Sequence, residues 1–269
     1  MPTRDDKTAI PVDGDAIQGT FVAPSTRLPG VLFMHGWGGS QEHYLARARE
    51  SAALGCICLT FDFRGHAETL PQRETVSREN NLQDALAAYD ALVRHPQVDS
   101  DSIAVVGSSY GGYLAAILTT LRPVRWLGLR VPALYMDSGW DVPKTQLHKD
   151  QDLDTYRRSL IQARDNRALQ ACAGFEGDVL IVESEHDTIV PHEAISNYLE
   201  AFIKPRSLTY RVIAGADHGL SEPQHQRAYT ALLVNWLEEM IFGARAGALS
   251  ARAQTAGNGA MAEAAPRPG

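Results

Sequence analysis

Short apolar runs alternate with helix-forming stretches along most of this 269-residue chain. The runs Gly30-Val31-Leu32-Phe33-Met34, Ser102-Ile103-Ala104-Val105-Val106 and Asp178-Val179-Leu180-Ile181-Val182 are continuously apolar rather than alternating in polarity. A strand of that kind has both faces buried, which a sheet covered by helices on both sides provides. Residues 56–62, 125–130 and 208–213 read as further strands, and residues 40–54, 80–94, 192–203 and 222–242 as helices. Ser40 is placed to cap the first helix and Gly55 to stop it. This order predicts an α/β fold around a largely parallel sheet. The opening differs, because residues 8–12 and 16–22 flank Asp13-Gly14, a turn signal suited to an antiparallel hairpin.

Residues 1–242 are expected to form one domain, a size that buries a single sizeable core. Within it, residues 132–172 start as an irregular stretch carrying Tyr135, Met136 and Trp140 and continue into a helical pattern over 153–172. They are expected to form a short cap insertion, with the aromatics either lining an acyl pocket or anchoring the insertion. Residues 243–269 are rich in Ala, Gly and Arg and carry almost no large apolar residue. Such a segment buries too little surface to offset ordering entropy and is expected to be a disordered tail.

A net charge of −7 with scattered basic residues excludes the electrostatic footprint of a nucleic-acid binder. Cys56, Cys58 and Cys172 make no even framework and no C-x-x-C pair, so they read as small core hydrophobes. No run approaches membrane-span length, and Met1-Pro2-Thr3-Arg4-Asp5-Asp6-Lys7 has no apolar signal core. The expected compartment is the cytoplasm, without membrane contact. No ligand spacing suggests a metal, and no phosphate loop suggests a nucleotide, so no cofactor is expected. Oligomeric state has no signature in the sequence.

Chemistry enters at Gly107-Ser108-Ser109-Tyr110-Gly111-Gly112, a G-x-S-x-G match between an apolar strand and a helix-forming stretch. That context marks a turn that lifts the Ser109 hydroxyl off the sheet edge, facing the free N–H groups of the next helix. A serine hydroxyl needs a base, and the base an orienting carboxylate, found in the order Ser, acid, His. Asp187 follows the 178–182 strand, with Glu183 and Glu185 as rivals. His218 follows the 208–213 strand and precedes Gly219, a context that His186, His192 and His225 lack. Two N–H donors should face the developing oxyanion. The Tyr110 amide is one, and Trp37, within His35-Gly36-Trp37-Gly38-Gly39, is the candidate for the other.

These pieces, with the Asp62-Phe63-Arg64-Gly65-His66 turn, Val190-Pro191 after Asp187, and Asp217-His218-Gly219, give the chain a resemblance to the α/β-hydrolases over roughly residues 20–242. It is most similar to small dienelactone-hydrolase-like and serine-aminopeptidase-like esterases. The resemblance implies a mostly parallel eight-stranded sheet with one antiparallel strand near the start, helices on both faces, and a short cap before the acid-bearing strand. It also implies structural roles for His35 and His66. Dienelactone hydrolases proper use a cysteine nucleophile, from which Ser109 departs. The expected function is cofactor-independent serine hydrolysis of a small acyl substrate, carboxylic esters first. Peptidase or amidase, thioesterase and non-catalytic binding module are the rivals. Substrate choice is expected to reside in residues 132–172.

Overall fold

The computed structural model describes residues 3–12, 15–24 and 27–263. Strands β1 (Thr3–Val12) and β2 (Asp15–Pro24) pair antiparallel in unbroken register from Thr3–Pro24 to Val12–Asp15. They form the expected hairpin, whose Asp13-Gly14 turn lies outside the described residues. They also correct the eight-stranded expectation: the hairpin is a two-stranded sheet of its own, and the main sheet has six strands, all parallel. A physical reason is legible in β1, whose Arg4-Asp5-Asp6-Lys7 run is unsuited to a sheet buried on both faces.

The main sheet comprises β3 (Leu28–Met34), β4 (Ile57–Thr60), β5 (Val98–Ser108), β6 (Trp126–Arg130), β7 (Asp178–Ser184) and β8 (Ser207–Ile213) in the order β4-β3-β5-β6-β7-β8. Every neighbouring pair is parallel. The central strands β5, β6 and β7 are buried almost end to end, whereas the edge strands β4 and β8 are half-covered. Continuous apolar runs are therefore found where helices lie on both faces, as the patterning requires.

The covering helices are α1 (Glu42–Ala53), α2 (Arg78–Val93), α3 (Tyr110–Leu118), α7 (His192–Ala201) and the start of α8 (Pro223–Glu263), with α4 (Lys144–Asp150), α5 (Leu153–Arg157) and α6 (Arg167–Gly174) between β6 and β7. α3 is buried along its whole length and is the central helix of the core. Ser77 and Asn80 form a capping box that starts α2. Ser40 does not cap α1. The N-terminal N–H of Gln41 is taken instead by Asp62 at 2.8 Å, a carboxylate well suited to a helix N-terminus, while Gly55 stops the helix at φ +87° as expected. The helical pattern over 153–172 is broken at 158–166, because Asn166 accepts from the N–H groups of Ala168 and Leu169 and opens a new helix. α8 runs past the expected boundary at Phe242 to Glu263, through a stretch rich in Ala, a strong helix former. Residues 264–269 lie outside the described residues. No described helix is long and apolar enough to cross a membrane.

Candidate active site

β5 ends at Ser108 and α3 begins at Tyr110, so Ser109 must turn the chain almost alone. It does so at φ +51° and ψ −115°, a conformation costing an L-residue about 1–3 kcal/mol. Its neighbours hold it there. The Ser109 N–H donates to the Arg130 carbonyl at 2.9 Å, and its own carbonyl accepts from Tyr113 and Ala133 at 3.0 and 3.1 Å. The flanking glycines are required by close approach. A Cβ on Gly107 would lie 2.4 Å from the Gly111 carbonyl oxygen, and one on Gly111 would lie 2.3 Å from that of Met34.

Two loops at the carboxyl ends of β7 and β8 meet this turn. His218 Nε2 lies 3.1 Å from Ser109 Oγ, and His218 Nδ1 lies 2.6 Å from Asp187 Oδ2. A carboxylate only accepts, which assigns the imidazole proton to Nδ1 and leaves the Nε2 lone pair facing the hydroxyl. The other Asp187 oxygen accepts from the Ile189 and Val190 N–H groups, both at 2.8 Å. The Asp187 side chain is 2% exposed and that of His218 is 19% exposed. The carboxylate is thus shielded from solvent while the imidazole remains reachable.

The rival residues are engaged elsewhere. Glu183 faces His192 at 3.0 Å and accepts from the Tyr210 hydroxyl, and Glu185 accepts from the Gly215 N–H at 2.7 Å. His186 is exposed beside Glu185, and His225 is not brought to Ser109. Asp217 bonds Ser221 through both oxygens and so braces the loop that carries His218.

The 35–39 loop packs directly on the turn, with an ideal Cβ on Gly36 lying 3.3 Å from Ser109 Cβ. His35 Nε2 accepts from the Phe63 N–H at 3.1 Å, and His66 Nε2 accepts from the Gly38 N–H at 3.1 Å. Both imidazoles must be neutral to accept. Burial lowers the pKa of His35, and burial followed by the His35 ring pushes His66 down to about 4. The Gly39 N–H is taken by Gly36 O at 3.0 Å. Two amides of the loop are thus committed, and that of Trp37 lies between the glycines. The Trp37 ring packs edge-on against Tyr110, whose amide opens α3 without an intrahelical acceptor. Arg64 ties its turn to Asp84 through Nε at 2.5 Å.

The insertion aromatics lie outside the walls of the cavity at Ser109. A cavity of about 530 Å³ opens at Ser109 and His218, and its walls come from residues 35–47, 108–109, 130 and 218–229, with none from 132–172. Tyr135 is buried between Tyr110 and Tyr113. The carbonyl of Met136 accepts from Arg78 at 2.6 Å, and Trp140 donates to Glu79. These contacts anchor the insertion to α2 and α3. Aromatics in an irregular segment find the nearest apolar and polar partners, and here those lie away from the cavity.

Two of the buried cations, Arg130 and Lys144, had no marker in the sequence pattern. Arg130 closes an otherwise apolar strand, and its guanidinium donates to the His218 carbonyl at 2.6 Å, to Ser184 at 3.2 Å and to Ser108 at 3.4 Å. It thereby ties the His218 loop to the sheet. Lys144 is fully buried, its ammonium 4.5 Å from the Trp37 ring centre, 5.0 Å from that of Tyr110 and 4.8 Å from that of Tyr135. Burial lowers its pKa. An apolar residue at the end of β6 would have been recognisable from strand patterning, but a charged one draws attention only when its partners are known. Among the described residues no group of three or more His, Cys, Asp or Glu could hold a metal.

Residues 43–243 match the profile of the prolyl oligopeptidase family. Uncharacterized protein Rv2307c of Mycobacterium tuberculosis is 28% identical over 190 residues, covering 71% of this chain and 63% of that protein. This chain thus spans less than two thirds of the curated relatives it first matches. Among solved structures, one from the metagenome-derived lipolytic enzymes LipS and LipT superposes with a TM-score of 0.62 at 18% identity, covering 80% of this chain and 96% of the other. The monoacylglycerol lipase of Paleococcus ferrophilus superposes with a TM-score of 0.59 at 17% identity, covering 89% and 99%. At these identities the two superpositions establish the shared fold.

Proposed function

The chain belongs to the prolyl oligopeptidase family, within the α/β-hydrolase superfamily, and from that membership we propose that it is a serine hydrolase acting on carboxylic esters or related acyl compounds. The observation that carries this reading is the run of hydrogen bonds from Asp187 through His218 to Ser109, with Ser109 on a left-handed turn between strand and helix. In the proposed reaction Ser109 Oγ attacks the acyl carbon while its proton passes to His218 Nε2. Asp187 fixes the imidazole tautomer and stabilises the imidazolium. The amides of Trp37 and Tyr110 hold the oxyanion of the tetrahedral intermediate. His218 then returns the proton to the leaving oxygen as the C–O bond breaks, leaving an acyl group on Ser109. Water, deprotonated by His218, attacks that acyl carbon, and the proton goes back to Ser109 as the acid departs.

In this reading the acyl group is chosen by the walls of that cavity, to which the 35–39 loop, α1 and residues 218–229 contribute. In a test with p-nitrophenyl acetate, Ser109→Ala should lose at least about 10⁴-fold in kcat. A variant keeping more than a tenth of the wild-type rate would remove Ser109 from the reaction. Family membership favours a second reading, cleavage of peptide or other amide bonds. Turnover of aminoacyl p-nitroanilides above that of matched p-nitrophenyl esters would select it.

A further inference from the structure

α1 turns Tyr44, Arg47, Ala48 and Ser51 inward. An arginine on such a face needs a reason, because an alanine or leucine would bury there without cost. Arg47 is 9% exposed and lies in the wall of the Ser109 cavity. Its guanidinium rests 4.9 Å from the Tyr229 ring centre and 5.5 Å from that of Tyr44, and Nη1 donates to the His43 carbonyl at 2.6 Å. Nε is buried without a partner. Arg130 stacks on the same Tyr229 ring at 5.6 Å. Two guanidiniums therefore lie against one aromatic ring in the wall of one cavity. Among the described residues neither has a carboxylate within ion-pair distance. Arg130 donates to the His218 carbonyl, to Ser184 and to Ser108, whereas among the described residues Arg47 donates only to the His43 carbonyl.

A buried cation left without an anion is costly, and a bidentate carboxylate is the ligand that best matches a guanidinium. Glu42, the acidic residue of the cavity wall, is exposed and forms no ion pair with Arg47. A second cavity, of about 400 Å³, shares Arg47, His43 and Gln226 with the first, adds Arg227 and Glu50, and does not include Ser109. Arg47 thus lies in the wall of the Ser109 cavity and also borders a second cavity that Ser109 does not reach.

We infer that Arg47 anchors a carboxylate on the substrate, so that the preferred substrates are esters carrying a free carboxylate remote from the scissile bond. This rests on the reading of Ser109 as the nucleophile of an ester hydrolase. The carboxylate can belong to a dicarboxylic acyl group or to an acidic leaving group, and two arms of one experiment separate them. One arm compares mono-p-nitrophenyl glutarate, adipate and pimelate with their methyl esters, after subtraction of spontaneous hydrolysis. The other compares 4-acetoxybenzoate with methyl 4-acetoxybenzoate.

In at least one arm the acid should exceed its methyl ester in kcat/KM by about ten- to a hundredfold, the range of a charge-assisted hydrogen bond. In Arg47→Met that ratio should fall to about one or below, and Arg47→Lys should retain part of it. A ratio of one or less for the wild type in both arms overturns the inference, as does a ratio that survives in Arg47→Met. Should Arg47→Met fail to fold, the wild type still decides: free glutarate should slow fluorophosphonate labelling of Ser109 while glutaramide does not. Equal effects of the two overturn the inference. Labelling of Ser109 without any acid preference removes only the role of Arg47. Absence of both labelling and ester turnover removes the underlying reading of Ser109.

Discussion

His66 lies beneath the loop that faces Ser109, and its acceptor role makes the fold sensitive to acid in a way that can be measured. Its Nε2 accepts from the Gly38 N–H, and burial followed by the His35 ring lowers its pKa from 6.5 to about 4. The folded protein therefore resists protonation that the unfolded chain accepts. Stability from this group is complete above pH 6.5 and is lost progressively as pH falls from 6.5 towards 4. A folded-state pKa of about 4 against 6.5 in the unfolded chain corresponds to roughly 3 kcal/mol. His35 is shifted in the same direction by burial and adds to the slope. The assay is urea unfolding at several pH values between 7.5 and 4, comparing the wild type with His66→Gln. Glutamine keeps an acceptor for Gly38 but does not titrate. Between pH 7 and pH 4 the wild type should lose about 3 kcal/mol more than the variant, with carboxylate effects common to both cancelling. Equal losses would show that burial does not lower the His66 pKa.

Two further predictions concern the turn and its partners. Asp187→Asn should lower kcat on a short p-nitrophenyl ester by about 10⁴-fold, since the tautomer that leaves Nε2 free is no longer enforced. Glu185→Gln, which keeps the bond to Gly215, should change it by less than about threefold under the same assay; equal losses would move the acid elsewhere. Gly111→Ala should destabilise by about 3 kcal/mol or more, because its Cβ would meet the Met34 and His35 carbonyl oxygens at 2.3 and 2.5 Å, backbone that has no rotamer to yield. Thermal unfolding or soluble yield reads this directly, and a variant melting with the wild type would contradict the packing account.

The parts of this molecule legible in its sequence are those governed by local chemistry. Continuous apolar runs marked β3, β5 and β7 because burial on both faces leaves no polar side to alternate with. Ser109, Asp187 and His218 were legible as candidates because each follows a strand and is flanked by residues that turn the chain, and the structure brings them within hydrogen-bonding distance. The parts that were not legible depend on pairing across the chain. Which sheet β1 and β2 join is decided by long-range competition for backbone partners, and local patterning is silent on it. Arg130 meets the His218 carbonyl across 88 positions, and Arg47 reaches Tyr229 only once α8 has packed on α1. Tyr135, Met136 and Trp140 showed the composition of a pocket lining but were captured by α2 and α3.

Covalent labelling tests the role of Ser109 as the nucleophile without any assumption about substrate. Incubation with a fluorophosphonate, followed by intact mass and peptide mapping, should give one adduct per chain on the peptide that contains Ser109. The Ser109→Ala protein should remain unmodified under the same conditions. A wild type that takes no label, or an alanine variant that labels as readily, would contradict the account.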